Sequence, residues 1–135
     1  MNELTNTMLK AAKLALPYAY VPYSNFRVAA CLRGSDNRLF VGVNVENCSY
    51  GLTLCAEASA IGQMITAGEQ QILDVVVLAQ NNELCTPCGA CRQRLFEFSS
   101  PETRVFLCNQ HEILQTLSLD ELLPLAFRLK KPNHE

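Results

Sequence analysis

The chain has 135 residues, 49% hydrophobic and 18% charged, with a net charge of −2 from 11 Lys+Arg against 13 Asp+Glu. This length suits one buried core and is too short for two ordinary domains, and the charge lacks the basic footprint of a nucleic-acid binder, leaving a small molecule as the expected ligand. No apolar run approaches the roughly 18–20 residues that span a bilayer, and Met1–Leu16 is broken by Glu3, Lys10 and Lys13, unlike a secretory leader.

Leu4, Met8, Ala11, Ala12, Ala15 and Leu16 recur at helical spacing, and Pro17 marks where that helix stops. Val21–Phe26 is a Pro- and Tyr-containing loop. Phe26–Leu32 reads as a strand, Gly34-Ser35-Asp36-Asn37 as a turn and Leu39–Val45 as a second strand, so an antiparallel hairpin is expected. After the loop Asn47–Thr53, a helix runs over Leu54–Ala67 and ends at Gly68. Leu73–Ala79, with four consecutive aliphatic residues at 75–78, reads as a strand buried on both faces. A loop over Asn81–Pro87 leads into a helix over Cys88–Phe98. Short strands are predicted at Val105–Leu107 and Glu112–Leu117. Ser118 and Glu121 have the spacing of a capping box for a short helix, Leu119–Leu123. Alternating strands and helices from Leu39 onward predict an α/β layer with helices on the sheet faces. The polar tail, Lys130–Glu135, is set apart from a single domain over residues 1–129.

Seven cysteines is a high count, and an odd one, so they cannot all pair within the chain. In a cytoplasmic protein, the expected location, thiols stay reduced and clustered cysteines are read first as metal ligands or redox groups. Three segments stand out: Cys55-Ala56-Glu57, Pro87-Cys88-Gly89-Ala90-Cys91, and the following Arg92-Gln93. Cys88 and Cys91 are three apart and share one helix face. Two thiolates there, with Cys55 as a third, leave one of zinc's four positions open for water, as a hydrolytic site requires. Each cysteine group starts a predicted helix, where free N–H groups offset thiolate charge. Glu57, two residues past Cys55, is placed to take a proton from an activated water and deliver it to a leaving group. A first ligand followed by x-Glu, then Pro-Cys-x-x-Cys, is the signature of zinc-dependent base deaminases.

Other readings of these cysteines stay open. Cys85, Cys88 and Cys91 form a CxxCxxC run like that of iron–sulfur proteins, but no fourth cysteine followed by proline completes it. Cys85 with Cys55, Cys88 and Cys91 would make a closed structural zinc site, suited to a module that binds a protein partner. A redox dithiol is a third possibility. Cys31 and Cys108 lie in apolar strand patterns and read as core residues; Cys48 and Cys85 flank the motifs without an evident role.

The chain resembles the short, homotetrameric, three-cysteine class of cytidine deaminases over nearly its whole length. The matching stretches are Pro22-Tyr23-Ser24-Asn25-Phe26, Asn44-Val45-Glu46-Asn47, Cys55-Ala56-Glu57, Pro87-Cys88-Gly89-Ala90-Cys91-Arg92-Gln93 and Leu122-Leu123-Pro124-Leu125-Ala126-Phe127. The resemblance implies a three-layer α/β/α fold around a mixed sheet of about five strands, with one Zn²⁺ per chain on Cys55, Cys88 and Cys91. It implies hydrolytic deamination of cytidine and 2′-deoxycytidine in pyrimidine salvage, with Glu57 taking protons from water and protonating first N3 and then the departing amino group. By the same resemblance Asn44 and Glu46 bind the ribose hydroxyls, Phe26 packs on the nucleoside, the Ala56 backbone meets the pyrimidine edge and Tyr50 lines the entrance. Phe127 reaches a neighbouring subunit's site in a homotetramer with shared active sites. A related deaminase acting on another aminated substrate is the runner-up. The pattern departs in two places. Three-cysteine members commonly carry Arg directly after the catalytic Glu, where this chain has Ala58, and Arg92 with the helix N-termini is expected to supply the missing compensation. Ala29 stands where Gly is frequent.

Overall fold

The structure, a computed structural model, describes residues 2–132. Its elements are α1 (Glu3–Ala15), β1 (Val28–Gly34), β2 (Leu39–Val43), α2 (Ala56–Thr66), β3 (Ile72–Ala79), α3 (Gly89–Glu97), β4 (Ser99–Cys108), β5 (Ile113–Ser118) and α4 (Leu119–Leu122), with 3₁₀ turns at Leu16–Tyr18 and Tyr50–Leu52. The five strands form one mixed sheet in the order β2-β1-β3-β4-β5. The β1–β2, β1–β3 and β4–β5 pairs are antiparallel, and β3–β4 is parallel, with α3 in the crossover between them. A parallel pair needs such a crossover, whereas the β1–β2 hairpin needs only the turn at 35–38.

Strand alternation divides the core in two. Ala29, Cys31, Val76, Leu78, Phe106 and Cys108 face α1, where they pack with Met8, Leu9, Ala12 and Leu16. Ala30, Leu32, Val75, Val77, Val105 and Leu107 face the other way, onto α2, Leu95 of α3 and Leu119 and Leu122 of α4. The result is the expected three-layer α/β/α arrangement on a mixed five-stranded sheet. Fully burying a side chain such as Met8 or Leu95 stabilises by roughly 1.5–3 kcal/mol, so the α1 stripe alone holds that helix down. Asn2 caps α1 by accepting from the Thr5 N–H, and Ser118 with Glu121 forms the predicted capping box of α4.

Several boundaries differ from the sequence expectation, and four of them have a local reason. β1 starts at Val28 rather than Phe26 because Asn25 turns the chain in the left-handed region and Gln80 Oε1 accepts the Arg27 N–H outside the sheet ladder. β2 ends at Val43, since Val45 pairs in isolated bridges with Tyr20 and Leu54. The second of these bridges also holds Leu54 extended, so α2 starts at Ala56. β4 begins at Ser99, six residues before the predicted Val105, because its first half pairs through Ile72↔Ser99 while remaining mostly exposed and polar. The expected tail is irregular and exposed over 130–132; residues 133–135 of it lie outside the described residues. Among the described residues no helix is long and apolar enough to cross a membrane.

Candidate metal centre

Cys55 is the N-cap of α2 and Cys88 the N-cap of α3, and neither side chain caps its own helix. Both sulfurs are thereby free to face outward from helix N-termini, where backbone N–H groups concentrate partial positive charge. Cys91 follows one turn into α3 and is buried. The sulfurs of Cys55, Cys88 and Cys91 all lie within 4.8 Å of one another, the one group among the described residues able to hold a metal ion. Tetrahedral zinc with ligands at about 2.3 Å fits such a triangle of sulfurs. Cys85 does not belong to the cluster, which argues against a closed four-cysteine site.

What holds α2 in place is its close seat on β2. Gly42 has no side chain where one would strike the backbone of Ala56 and Ala60, and the Ser59 hydroxyl donates to the Val43 carbonyl at 2.9 Å. Alongside, Val45 and Leu54 exchange backbone hydrogen bonds at 2.9 and 2.8 Å. Asn44 and Glu46 flank Val45, and Cys55 follows Leu54, so that bridge brings the rim segment next to the first sulfur.

The pocket beside the cluster is lined by Cys55, Cys88, Glu57, Asn44, Thr53 and Cys85, among others, with Val28 and Val77 beneath. Glu57 sits there at 5% exposure. Burial pushes its carboxyl above the ordinary range, against the pull of its own backbone N–H and of the Arg94 charge. Burial likewise raises Cys55 and Cys91. At Cys88 burial also pushes upward, but hydrogen bonds from the Cys91 backbone and from the neighbouring thiols outweigh it, and the net shift is downward. A divalent cation among these sulfurs overrides such burial costs by binding thiolates. A larger hollow of about 530 Å³, against about 160 Å³ here, lies between Gln70–Leu73 and Glu97–Ser100. Its ionic groups, Glu97 and Lys131, pair with each other at 3.4 Å. Its described lining holds no cluster able to bind a metal or move a proton, so chemistry rather than size selects the smaller pocket.

The remaining expected residues are placed as follows. Ala56 is buried at the start of α2. Asn44 completes the β1–β2 ladder with its side chain: Oδ1 accepts from the Val28 N–H at 3.0 Å and Nδ2 donates to the Phe26 carbonyl at 2.9 Å. Glu46 lies outside the pocket lining and accepts from the backbone N–H groups of Tyr23 and Ser24 and from the Ser24 hydroxyl. The Ser24 hydroxyl and those N–H groups hold its carboxyl below the usual range, with the hydroxyl's contribution the largest. Phe26 is half-buried and, like Tyr50 and Phe127, is not part of the lining. Tyr50 stacks edge-on against Tyr23 at 5.9 Å. Phe127 is 68% exposed, and its carbonyl accepts from Gln93 Nε2 at 2.9 Å.

Arg92 is not turned to the sulfurs, contrary to the expectation from sequence. Its Nε donates to the Pro87 carbonyl at 2.9 Å and its NH1 to the Leu122 carbonyl at 2.8 Å. The guanidinium that meets a thiol belongs to Arg94, whose NH1 donates to Cys91 Sγ at 3.5 Å. The sequence reading does not single out Arg94, although a signal is present: Cys88, Cys91 and Arg94 are spaced by three and fall on one helical stripe.

Residues 1–108 match the family model for the cytidine and deoxycytidylate deaminase zinc-binding region. The chain is 42% identical over 122 residues to the cytidine deaminase of Mycoplasma genitalium, covering 90% of this chain and 93% of that one. Its fold is similar to the crystal structure of cytidine deaminase from Burkholderia pseudomallei, with a TM-score of 0.86, 40% identity and coverage of 94% of this chain and all of that one. The cytidine deaminase of Mycobacterium tuberculosis is similar at a TM-score of 0.82 and 37% identity, over 93% of this chain and 98% of that one.

Proposed function

The chain belongs to the cytidine and deoxycytidylate deaminase family, and from that premise we propose that it is a zinc-dependent cytidine deaminase in which Glu57 moves the protons. The observation that carries this reading is a cluster of three sulfurs at two helix N-termini with a buried carboxyl lining the same pocket. Three ligands, not four, leave room for a reacting water. When bound, zinc supplies the Lewis acidity that makes water nucleophilic near neutral pH. Glu57 accepts the proton that water gives up as it adds to C4 of the cytosine ring. It delivers that proton to N3, then takes the remaining proton from the new C4 hydroxyl and passes it to the amino group, so that the C4–N bond breaks, ammonia leaves and C4 is left as the carbonyl of uracil. Burial suits Glu57 to this exchange, because a carboxyl held above its ordinary range accepts a proton more readily than a free one.

Asn44 has its ladder hydrogen bonds already made, which leaves the second Nδ2 hydrogen and the second Oδ1 lone pair for a ribose hydroxyl. Glu46, an ionised carboxylate two residues on, is proposed as its companion, with Phe26 packing on the nucleoside and the Ala56 backbone meeting the pyrimidine edge. Such contacts serve ribose and deoxyribose alike through the 3′-hydroxyl, so 2′-deoxycytidine is included as a substrate, and pyrimidine salvage is the proposed setting. Three metal-holding thiols must stay reduced, which fits a cytoplasmic location. We further propose one domain over residues 1–129 and a homotetramer in which Phe127 completes a neighbour's site.

Glu57→Ala tests the central claim. We expect about one zinc per chain to be retained while cytidine turnover, followed by loss of its absorbance and release of ammonia, falls at least about a hundredfold. Turnover near the parent's rate would falsify the assignment of Glu57.

A further inference from the structure

Three thiolates and one Zn²⁺ sum to −1, and the buried Glu57 adds to the negative field. Donors aimed at the sulfurs withdraw that excess and hold the ligands in place. Backbone N–H groups at the two helix starts do part of this. Among the described side chains, one cation touches a sulfur of the cluster: Arg94, through NH1 to Cys91 Sγ at 3.5 Å. The other arginine of the motif, Arg92, is committed to two carbonyls. Glu97 continues the stripe of Cys88, Cys91 and Arg94 along α3, yet it pairs with Lys131 and leaves the Arg94 charge for the thiol.

The path of the Arg94 side chain is legible in its surroundings. It lines a surface groove with Ala58, Ile61 and Gly62 of α2. Small residues at 58 and 62 leave that groove open beside Arg94, whose guanidinium turns back along α3 to Cys91. We propose that Arg94 is the charge-compensating and positioning residue of the zinc site, fixing Cys91 by an N–H···S hydrogen bond and offsetting the residual charge of the zinc–thiolate group. This rests on the zinc deaminase reading given above. It also accounts for Ala58: the positive charge that a long cation at 58 would bring from α2 comes from α3 instead. Arg94 does not touch the reacting atoms, so its effect runs through the metal and its ligands.

The experiment compares zinc affinity, by competition with a chromogenic chelator, and the pH profile of kcat for the full zinc-loaded protein and its variants. Arg94→Gln removes the charge while keeping a long polar chain, and should weaken zinc binding about tenfold, the low end for a partner of a metal ligand because this guanidinium is exposed. Arg94→Lys keeps the charge and should recover part of that loss. Adding Ala58→Arg to Arg94→Gln places a guanidinium in the same groove from the other helix and should return the affinity to within about threefold of the parent. Zinc affinity and pH profile both unchanged in Arg94→Gln would overturn the proposal. A loss in Arg94→Gln that neither Arg94→Lys nor the added Ala58→Arg recovers would overturn the charge role. Failure of the parent protein to deaminate cytidine would count against the deaminase reading, whereas the chelator competition reads the zinc site alone.

Discussion

Residues 92, 93 and 94 are consecutive on α3, yet each is committed to a different partner. Arg92 ties the helix to the Pro87 and Leu122 carbonyls, Gln93 holds the Phe127 carbonyl, and Arg94 meets Cys91. Successive helical positions point about 100° apart, so neighbours in sequence are not neighbours in space. This is why the metal ligands are legible in the sequence and their charge partner is not. Thiols at this spacing have few other uses, whereas two arginines near a motif are separated only by knowing which way the helix faces. Cys85 poses the converse case, a thiol in the pocket lining but outside the sulfur cluster. Its sulfur stands apart from the triangle of the other three, which disfavours a fourth ligand. Cys85→Ser should therefore leave zinc content at about one per chain and zinc affinity within about twofold. Loss of the metal in that variant, read by the same chelator competition, would restore the four-cysteine structural site.

At the scale of elements, the seat of α2 on β2 decides where Cys55 and Glu57 stand. A Cβ added at Gly42 would lie 2.3 Å from the Ala60 nitrogen and 2.6 Å from the Ala56 oxygen, and backbone in a packed helix cannot yield by that much without moving the helix. Gly42→Ala should cost about 1–3 kcal/mol, lower the thermal midpoint by several degrees and loosen zinc, because Cys55 caps the displaced helix. An unchanged melting curve would show that the helix absorbs the methyl group. The sequence pattern marks β2, α2 and the hairpin, yet Gly42 passes as an ordinary strand residue, since close approach of a helix leaves no local signal. β4 shows a similar limit. Its buried half carries the apolar signal, while its first residues, Ser99–Glu102, are mostly exposed and meet β3 only through Ser99.

At the scale of the whole molecule, the segment after α4 stands out from the chain. Leu125 and Leu129 are exposed along with Phe127, and Leu125 adopts a positive φ of 51° that a leucine rarely takes. Exposed apolar side chains in a row fit a surface that a second copy covers, in line with the proposed homotetramer. Light scattering should give a mass of four times the 15.0 kDa chain, and a single-chain mass at all concentrations tested would count against shared sites. The sequence alone could not separate such residues from core, because apolar patterning records that a side chain is covered but not by which chain.

In chain order, the two halves of the sulfur cluster come from either side of β3. Cys55 lies 33 positions before Cys88, and the intervening stretch contains all of α2 and β3. A metal joining them acts on the chain as a cross-link does, closing a loop whose ends an unfolded chain seldom brings together. Cys55 is positioned by the seat of α2 on β2, and Cys88 by the crossover from β3 to β4, so the triangle of sulfurs exists only where both are in place. Capture of the ion is thus a report that the central sheet has assembled, and the cofactor serves as a lock on the topology as well as a reagent.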